Sequence, residues 1–234
     1  MSIANDFLES VESCILKNCS VLKTLGKSVR RKSDDSPISQ ADVLVNDLVQ
    51  AKMRVFFPDH ALVSEEGGLD SEVGSDGSGN IVFLDPIDGT ENFIVGFPMW
   101  AVGISVFSDS KHQGSMIIAP DLNKTAYSSR FEPGFVDTDS QLVGLSSNRK
   151  SQELDSEDEL EKRITGCSLL NLLFVAEGVF KSYENQVGAN CWDILPGLQI
   201  ALHAGVRDIV VDGIPYHGQM LPPTKKYTLR LARK

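Results

Sequence analysis

The sequence predicts an α+β fold, and three observations carry that prediction. Apolar residues recur at helical spacing over 3–25 and again over 43–56. Between 61 and 127 they gather into short runs or alternate with small residues, as strands do. Leu169 to Val179 is apolar almost throughout, the pattern of a helix buried on every side.

With 234 residues, 41% hydrophobic and 23% charged, the chain can bury a sizeable core, and disorder throughout is excluded. A single domain over 1–234 is expected, built of two merged halves with a seam near 140–165. A net charge of −10 and a pI of about 4.9 argue against a nucleic-acid surface as its main business. An anionic substrate would then need local positive charge, which bound metal can supply. Cys14, Cys19, Cys167 and Cys191 form no C-x-x-C pair and the histidines are scattered, so free thiols in a reducing cytoplasm are expected. The start, MSIANDFLESVE, is acidic where a signal peptide is basic and then apolar. No segment approaches the roughly 20 apolar residues of a membrane span. A cytoplasmic protein with no membrane partner is expected.

In chain order, Ile3, Phe7, Leu8, Val11, Ile15, Leu16, Leu22 and Leu25 mark one amphipathic helix ending near Gly26. The polar run from Lys27 to Ser39 carries Arg30, Arg31, Lys32, Asp34 and Asp35 and reads as a loop, either an active-site lid or a solvated connector. Asp42, an acid at a helix start, opens a second helix that must stop before Pro58. Ala61 to Ser64 is a short strand running into Glu65 and Glu66, and the glycines and serines of 67–79 suit a surface loop or hairpin. Ile81 to Leu84 is a buried strand, Trp100 to Val106 and Met116 to Ile118 its neighbours, with Tyr127 on a third and Gln141 to Ser146 another. The acidic run Glu153 to Glu161 reads as the exposed face of a helix. After the apolar helix, a further helix runs through His203 with Pro196 in its first turn, where proline is tolerated. Arg207 to Val211 is the last strand, and the basic tail Lys225 to Lys234 carries no legible pattern.

The chemistry concentrates in Ile81 to Gly96, IVFLDPIDGTENFIVG. Asp85 and Asp88 flank a Pro-Ile turn at the mouth of a strand. Such carboxylates suit a hard cation such as Mg²⁺, but Asp-Pro and Asp-Gly are also turn formers, and spacing alone leaves both readings open. Gly89 and Thr90 then open a helix whose N–H groups suit a phosphate. If the strands at 61–64 and 81–84 end at one sheet edge, Glu65, Asp85 and Asp88 meet. Carboxylates so crowded raise one another's pKa unless a cation lies among them. Asp193 by itself is simply an acid at a helix start.

Ser64-Glu65-Glu66, then Leu84-Asp85-Pro86-Ile87-Asp88-Gly89-Thr90, then Trp192-Asp193 with Gly197 four residues on, resemble the signature set of the inositol monophosphatase superfamily. These are lithium-sensitive, magnesium-dependent phosphomonoesterases, and the resemblance runs from the first helix to about Gly213. It implies a layered α-β-α-β-α sandwich assembled as a homodimer. It also implies a phosphoric monoester hydrolase acting on inositol monophosphate or a related small ester with two or three Mg²⁺ ions. Glu65, Asp85 and the carbonyl of Ile87 are thereby assigned to one Mg²⁺, and Asp85, Asp88 and Asp193 to a second. Glu66 supports the cluster. Glu65, Thr90 and Asp42 are the implied catalytic residues, Asp42 pairing with Thr90 beside an attacking water.

Substrate contacts are implied at Gly89, Thr90, Cys167, Ser168, Gln186 and Asp193. Gly166-Cys167-Ser168 stands where many members read G-S/T-A. Gln186 replaces a glutamate that grips ring hydroxyls, and Leu195-Pro196 replaces a small pair, which bears on helix packing. Lys32 to Asp42 resembles the K-x-D-x-S-P-x-T-x-A-D loop of the bisphosphate nucleotidases, whereas Gly96 to Trp100 resembles inositol and histidinol phosphatases. A 3'(2'),5'-bisphosphate nucleotidase is therefore the alternative substrate reading. Of another class is a regulatory protein-binding factor of the transcription and ribosome machinery, implied by some bacterial members that the chain resembles.

Overall fold

The structure, a computed structural model, describes residues 2–31, 37–69, 79–132, 140–147 and 160–233. The first predicted helix is two: α1 (Ile3–Lys17) and α2 (Cys19–Leu25). They part at Asn18, whose side-chain amide donates to Cys14 O at 2.8 Å and competes with the helical ladder. Where a loop was expected, β1 (Val29–Arg31) and β2 (Pro37–Ser39) form an antiparallel pair, and Lys32, Asp34 and Asp35 lie outside the described residues. All of β1 is exposed, so no alternation betrayed it. α3 (Gln40–Phe56) follows, with Ser39 as its N-cap and Asp42 closing a capping box.

The first sheet takes β3 (Ala61–Ser64), β4 (Gly68–Leu69), β5 (Ile81–Asp88), β6 (Ala101–Ser108), β7 (Lys111–Ala119) and β8 (Lys124–Tyr127), with the short α4 (Thr90–Val95) between β5 and β6. Its order is β4-β3-β5-β6-β7-β8. β5 is buried on both faces: Val82 and Leu84 pack with α1 and α3, Ile81 and Phe83 on the opposite side. That is why its sequence is a continuous apolar run rather than an alternating one.

The rest comprises β9 (Leu142–Leu145), β10 (Glu161–Arg163), α5 (Ser168–Glu177), β11 (Ser182–Ala189), α6 (Cys191–His203), β12 (Asp208–Val211), β13 (Ile214–Pro215) and β14 (Tyr227–Ala232). The second sheet runs β10-β9-β11-β14-β12-β13. Three expectations need correction here. The tail supplies β14, an interior strand in which buried Tyr227, Leu229 and Leu231 alternate with exposed Thr228 and Arg230. Glu161 lies on β10 rather than a helix, and the rest of the acidic run, 153–159, is outside the described residues. Pro196 sits inside α6, beyond its first turn.

α1 and α3 cover one face of the first sheet, and α5 and α6 lie between its other face and the second sheet. The described residues thus show the layered α+β architecture as α-β-α-β. Close approach fixes the middle layer. A Cβ on Gly197 would meet Leu172 Cβ at 2.4 Å, so glycine lets α6 press on α5. A Cβ on Gly103 would meet Leu169 Cδ1 at 2.5 Å and Pro196 Cγ at 3.1 Å, so β6 accepts the bulk of Leu169 and Pro196 through a missing side chain. Among the described residues no helix is long and apolar enough to cross a membrane.

Candidate active site

β3 and β5 run parallel with Ser64 level with Leu84, and Glu65 N donates to Leu84 O at 3.4 Å. Glu65 and Asp85 therefore emerge at one sheet edge, as the strand pattern predicts. Between Asp85 and Asp88 the register of β5 against β6 shifts, the kind of irregularity that re-aims side chains. Gly89 then turns the chain at φ 82°, where an added Cβ would meet Met99 O at 2.8 Å. Thr90 opens α4 and its hydroxyl donates to Ile87 O at 2.9 Å.

Three acids are gripped by helix starts. Asp42 Oδ2 accepts from Ser39 N at 2.8 Å and Ser39 Oγ at 2.6 Å at the head of α3. Asp88 Oδ2 accepts from Leu169 N at 2.6 Å and Cys167 Sγ at 3.2 Å, so β5 supplies the acid that caps α5. Asp193 Oδ2 accepts from Asn190 N at 2.8 Å at the head of α6. The positive ends of three helices thus face the strand mouth that carries Asp85.

Those donors do not neutralise the cluster. Asp85 is 1% exposed, and its Oδ1, like Asp42 Oδ1, is buried with no hydrogen-bond partner. Burial first, then Asp88, Glu65, Asp193 and Asp42, hold the Asp85 carboxyl well above the usual carboxylate range. Asp193 is raised likewise by burial, Asp88 and Glu65, with Lys226 acting the other way. Burial pushes Asp88 up to about 7 against the pull of the Leu169 and Cys167 bonds, and it also raises Asp42. An all-oxygen set containing a buried, donorless carboxylate oxygen suits a hard divalent cation. Among the described residues no three of Asp, Glu, His and Cys close round one point as a ligand shell, and one oxygen each of Asp88 and Asp193 is turned to a backbone donor.

Beside the acids opens a polar cavity of about 170 Å³, lined by Asp88, Asp193, Cys167, Ser168, Ser146, Asn171, Tyr183, Asn185 and Lys226. Of the predicted residues, Glu65, Asp85, Asp88, Asp193 and Asp42 come together and Cys167 and Ser168 line this cavity. Two expected contacts are not formed in this structure. Asp42 Oδ2 accepts from Ser39 and the Thr90 hydroxyl donates to the Ile87 carbonyl, so no hydrogen bond joins Asp42 to Thr90 here, and Asp42 Oδ1 is left without a donor. Gln186 is exposed and donates to Glu184 Oε1 at 2.7 Å, outside the cavity lining. Neighbouring Asn185 faces in instead, its Oδ1 accepting from Val187 N and Gly188 N at 3.0 Å each in a bulged stretch of β11. Ser146, Tyr183, Asn185 and Lys226 escaped the sequence reading. The alternation at 227–231 is the signal that would have placed Lys226 beside a strand.

The profile described as the inositol monophosphatase family matches residues 3–229. Similar proteins include the fructose-1,6-bisphosphatase/inositol-1-monophosphatase of Aquifex aeolicus, 26% identical over 94% of this chain and 96% of its own. The Nus factor SuhB of Xylella fastidiosa is 26% identical over 84% and 76%, and the 3'(2'),5'-bisphosphate nucleotidase CysQ of Salmonella typhimurium 28% over 76% and 77%. Among solved structures, a staphylococcal inositol monophosphatase-1 in a LiCl-soaked inhibitory complex superposes with a TM-score of 0.79 at 18% identity, covering 100% of this chain and 92% of its own. An IMPase/NADP phosphatase complexed with Mg²⁺ and phosphate gives 0.70 at 18% identity over 96% and 92%. At such identities the structural likeness is one of fold.

Proposed function

Because this chain belongs to the inositol monophosphatase family, and so is a phosphoric monoester hydrolase, we propose that it cleaves a small polyol phosphate at the acid cluster with Mg²⁺ as cofactor. The observation that carries this reading is Asp85, a buried carboxylate with one oxygen that accepts nothing, among four further acids. Glu65, Asp85 and the Ile87 carbonyl would hold one ion, and Asp85, Asp88 and Asp193 a second. Bound Mg²⁺ would lower the pKa of the attacking water and offset charge on the leaving oxygen.

The chain's own groups do the rest. The N–H groups of Gly89 and Thr90 orient phosphate oxygens, singly, since α4 has only six residues to build a dipole. With the Ile87 carbonyl taken as a ligand, the Thr90 hydroxyl loses its present acceptor. Asp42 Oδ1 is the buried acceptor without a donor, and we assign it the proton passed from the water through Thr90. Leu169 N and Asn190 N fix the orientation of Asp88 and Asp193. Hydroxyl and amide groups of Ser168, Tyr183 and Asn185 line the cavity where the released alcohol would lie, and they suit ring hydroxyls. We leave Gln186 out of the contact set. Assembly as a homodimer is part of the same proposal, checked by light scattering at twice the 25.6 kDa chain mass.

The test is phosphate release in Mg²⁺ from myo-inositol 1-phosphate and adenosine 3',5'-bisphosphate side by side. Preference for the inositol ester is expected. Preference for the nucleotide, the reading favoured by likeness to CysQ, would overturn the substrate class. Likeness to SuhB favours a binding role in addition, and a cellular phenotype that survives Asp88→Asn would assign that phenotype to binding rather than to hydrolysis.

A further inference from the structure

We infer that Asn92 is a positioning residue, one that sets the Gly89 and Thr90 N–H groups against the loop that grips Asp88. This rests on the phosphatase reading above. Asn92 lies in α4, two residues past Thr90, and its Nδ2 donates to Met99 O at 2.6 Å and to Thr165 O at 2.8 Å. Both partners are carbonyl oxygens, so the amide nitrogen must face them with both hydrogens spent. Met99 leads into β6, and Thr165, 73 residues from Asn92, leads into Cys167, Ser168 and α5. One side chain thus ties the two approaches to the cavity together.

The backbone leaves room for this amide. Gly166 has φ +78°, and a Cβ there would lie 2.9 Å from Asn92 Nδ2, so a side chain at that turn would push the amide off its two carbonyls. The neighbouring Phe93 packs its ring on buried Trp100, centroids 4.7 Å apart, just before β6. α4 is therefore held to the first sheet by Phe93 and to the loop before α5 by Asn92.

From Thr165 the contacts continue to the acids. Thr165 is buried, and its hydroxyl donates to Asn171 Oδ1 at 2.8 Å and accepts from Cys167 N at 3.2 Å, which fixes the turn into α5. That turn presents Cys167 Sγ and Leu169 N, the two donors to Asp88 Oδ2. The groups proposed to orient phosphate and an acid proposed to hold Mg²⁺ are thus the two ends of one run of contacts, with Asn92 between them. Asn92 itself does not line the cavity, so it acts through these neighbours. Reacting groups tolerate little slack, since about 1 Å of misplacement can cost about a hundredfold in rate.

The test uses Asn92→Leu, which keeps the bulk and removes both donors, with Thr165→Val and Thr165→Ser at the far end of the run. Two quantities are read: the Kd for Mg²⁺ by calorimetry without substrate, and kcat and KM for whichever ester of the side-by-side assay wild type prefers. Asn92→Leu and Thr165→Val should each raise the Kd for Mg²⁺ and KM about tenfold, the size of one lost hydrogen bond, and Thr165→Ser should match wild type. A role in the fold alone would lower the metal-free thermal midpoint and leave Kd and KM unmoved. That result would overturn the inference and leave the phosphatase reading intact. Where Asn92→Leu does not fold, the Thr165 pair decides by the same two quantities. A wild type that neither binds Mg²⁺ nor releases phosphate would overturn both.

Discussion

Asp88 Oδ2 has two donors, Leu169 N at 2.6 Å and Cys167 Sγ at 3.2 Å, yet burial still carries the carboxyl up to about 7. In metal-free protein the folded state therefore keeps a proton that the unfolded chain, with its ordinary value of 3.8, has already released. The stability tied to that proton is full below about 4 and is lost as pH rises to about 7. His112 acts with the opposite sign, because burial and then His203 lower it to about 4. The difference between wild type and Asp88→Asn cancels His112 and reports the Asp88 carboxyl together with its effect on Asp85 and Asp193. In EDTA, the thermal midpoint of wild type relative to Asp88→Asn is expected to fall as pH rises across this window, and parallel profiles would contradict the reading. At this scale the acids could be placed near strand mouths and helix starts from spacing, but spacing left their role open, and only the family resemblance drew Asp42 and Asp193 into one site with Asp85 and Asp88. Their donors could not be placed: Leu169 and Asp88 are separated by 81 residues and meet only once α5 packs on the sheet. Gln186 was misplaced because the bulge of β11 sets which neighbour faces in, and no local pattern marks a bulge.

The elements converge on the site by their ends, with β3 and β5 finishing where α3, α5 and α6 begin. That convergence depends on how closely α6 lies on α5, and Gly197 sets the distance, with Leu172 Cβ 2.4 Å from where a Cβ would stand. Gly197→Ala should destabilise by about 1–3 kcal/mol through overpacking, seen as a lower urea midpoint with unchanged slope. A midpoint equal to wild type would contradict the close packing. Most buried helices and the strands of the first sheet were legible because their apolar patterns repeat over many residues. β14 was missed because its alternation occupies six residues inside a basic tail, and charge drew the eye from Tyr227, Leu229 and Leu231. β1 could not be found by pattern, since a ribbon exposed along its length has no buried face to encode.

At the scale of the molecule, the described residues alternate two helical layers with the two six-stranded sheets, and the acids collect where the middle layer meets the edge of the first sheet. A chain of net charge −10 spends five carboxylates, Glu65, Asp85, Asp88, Asp193 and Asp42, on one place. The fold offsets this with three helix starts and Lys226, and Asp85 Oδ1 is still left without a donor. The central claim is that this deficit of positive charge is the catalytic device, filled by Mg²⁺. Its most direct test is phosphate release from myo-inositol 1-phosphate by wild type and Asp85→Asn, in EDTA and after Mg²⁺ is restored. Wild type should be silent in EDTA and recover with Mg²⁺, and Asp85→Asn should lose about a thousandfold or more in turnover at any Mg²⁺ concentration. Turnover in EDTA, or a fully active Asp85→Asn, would contradict the account.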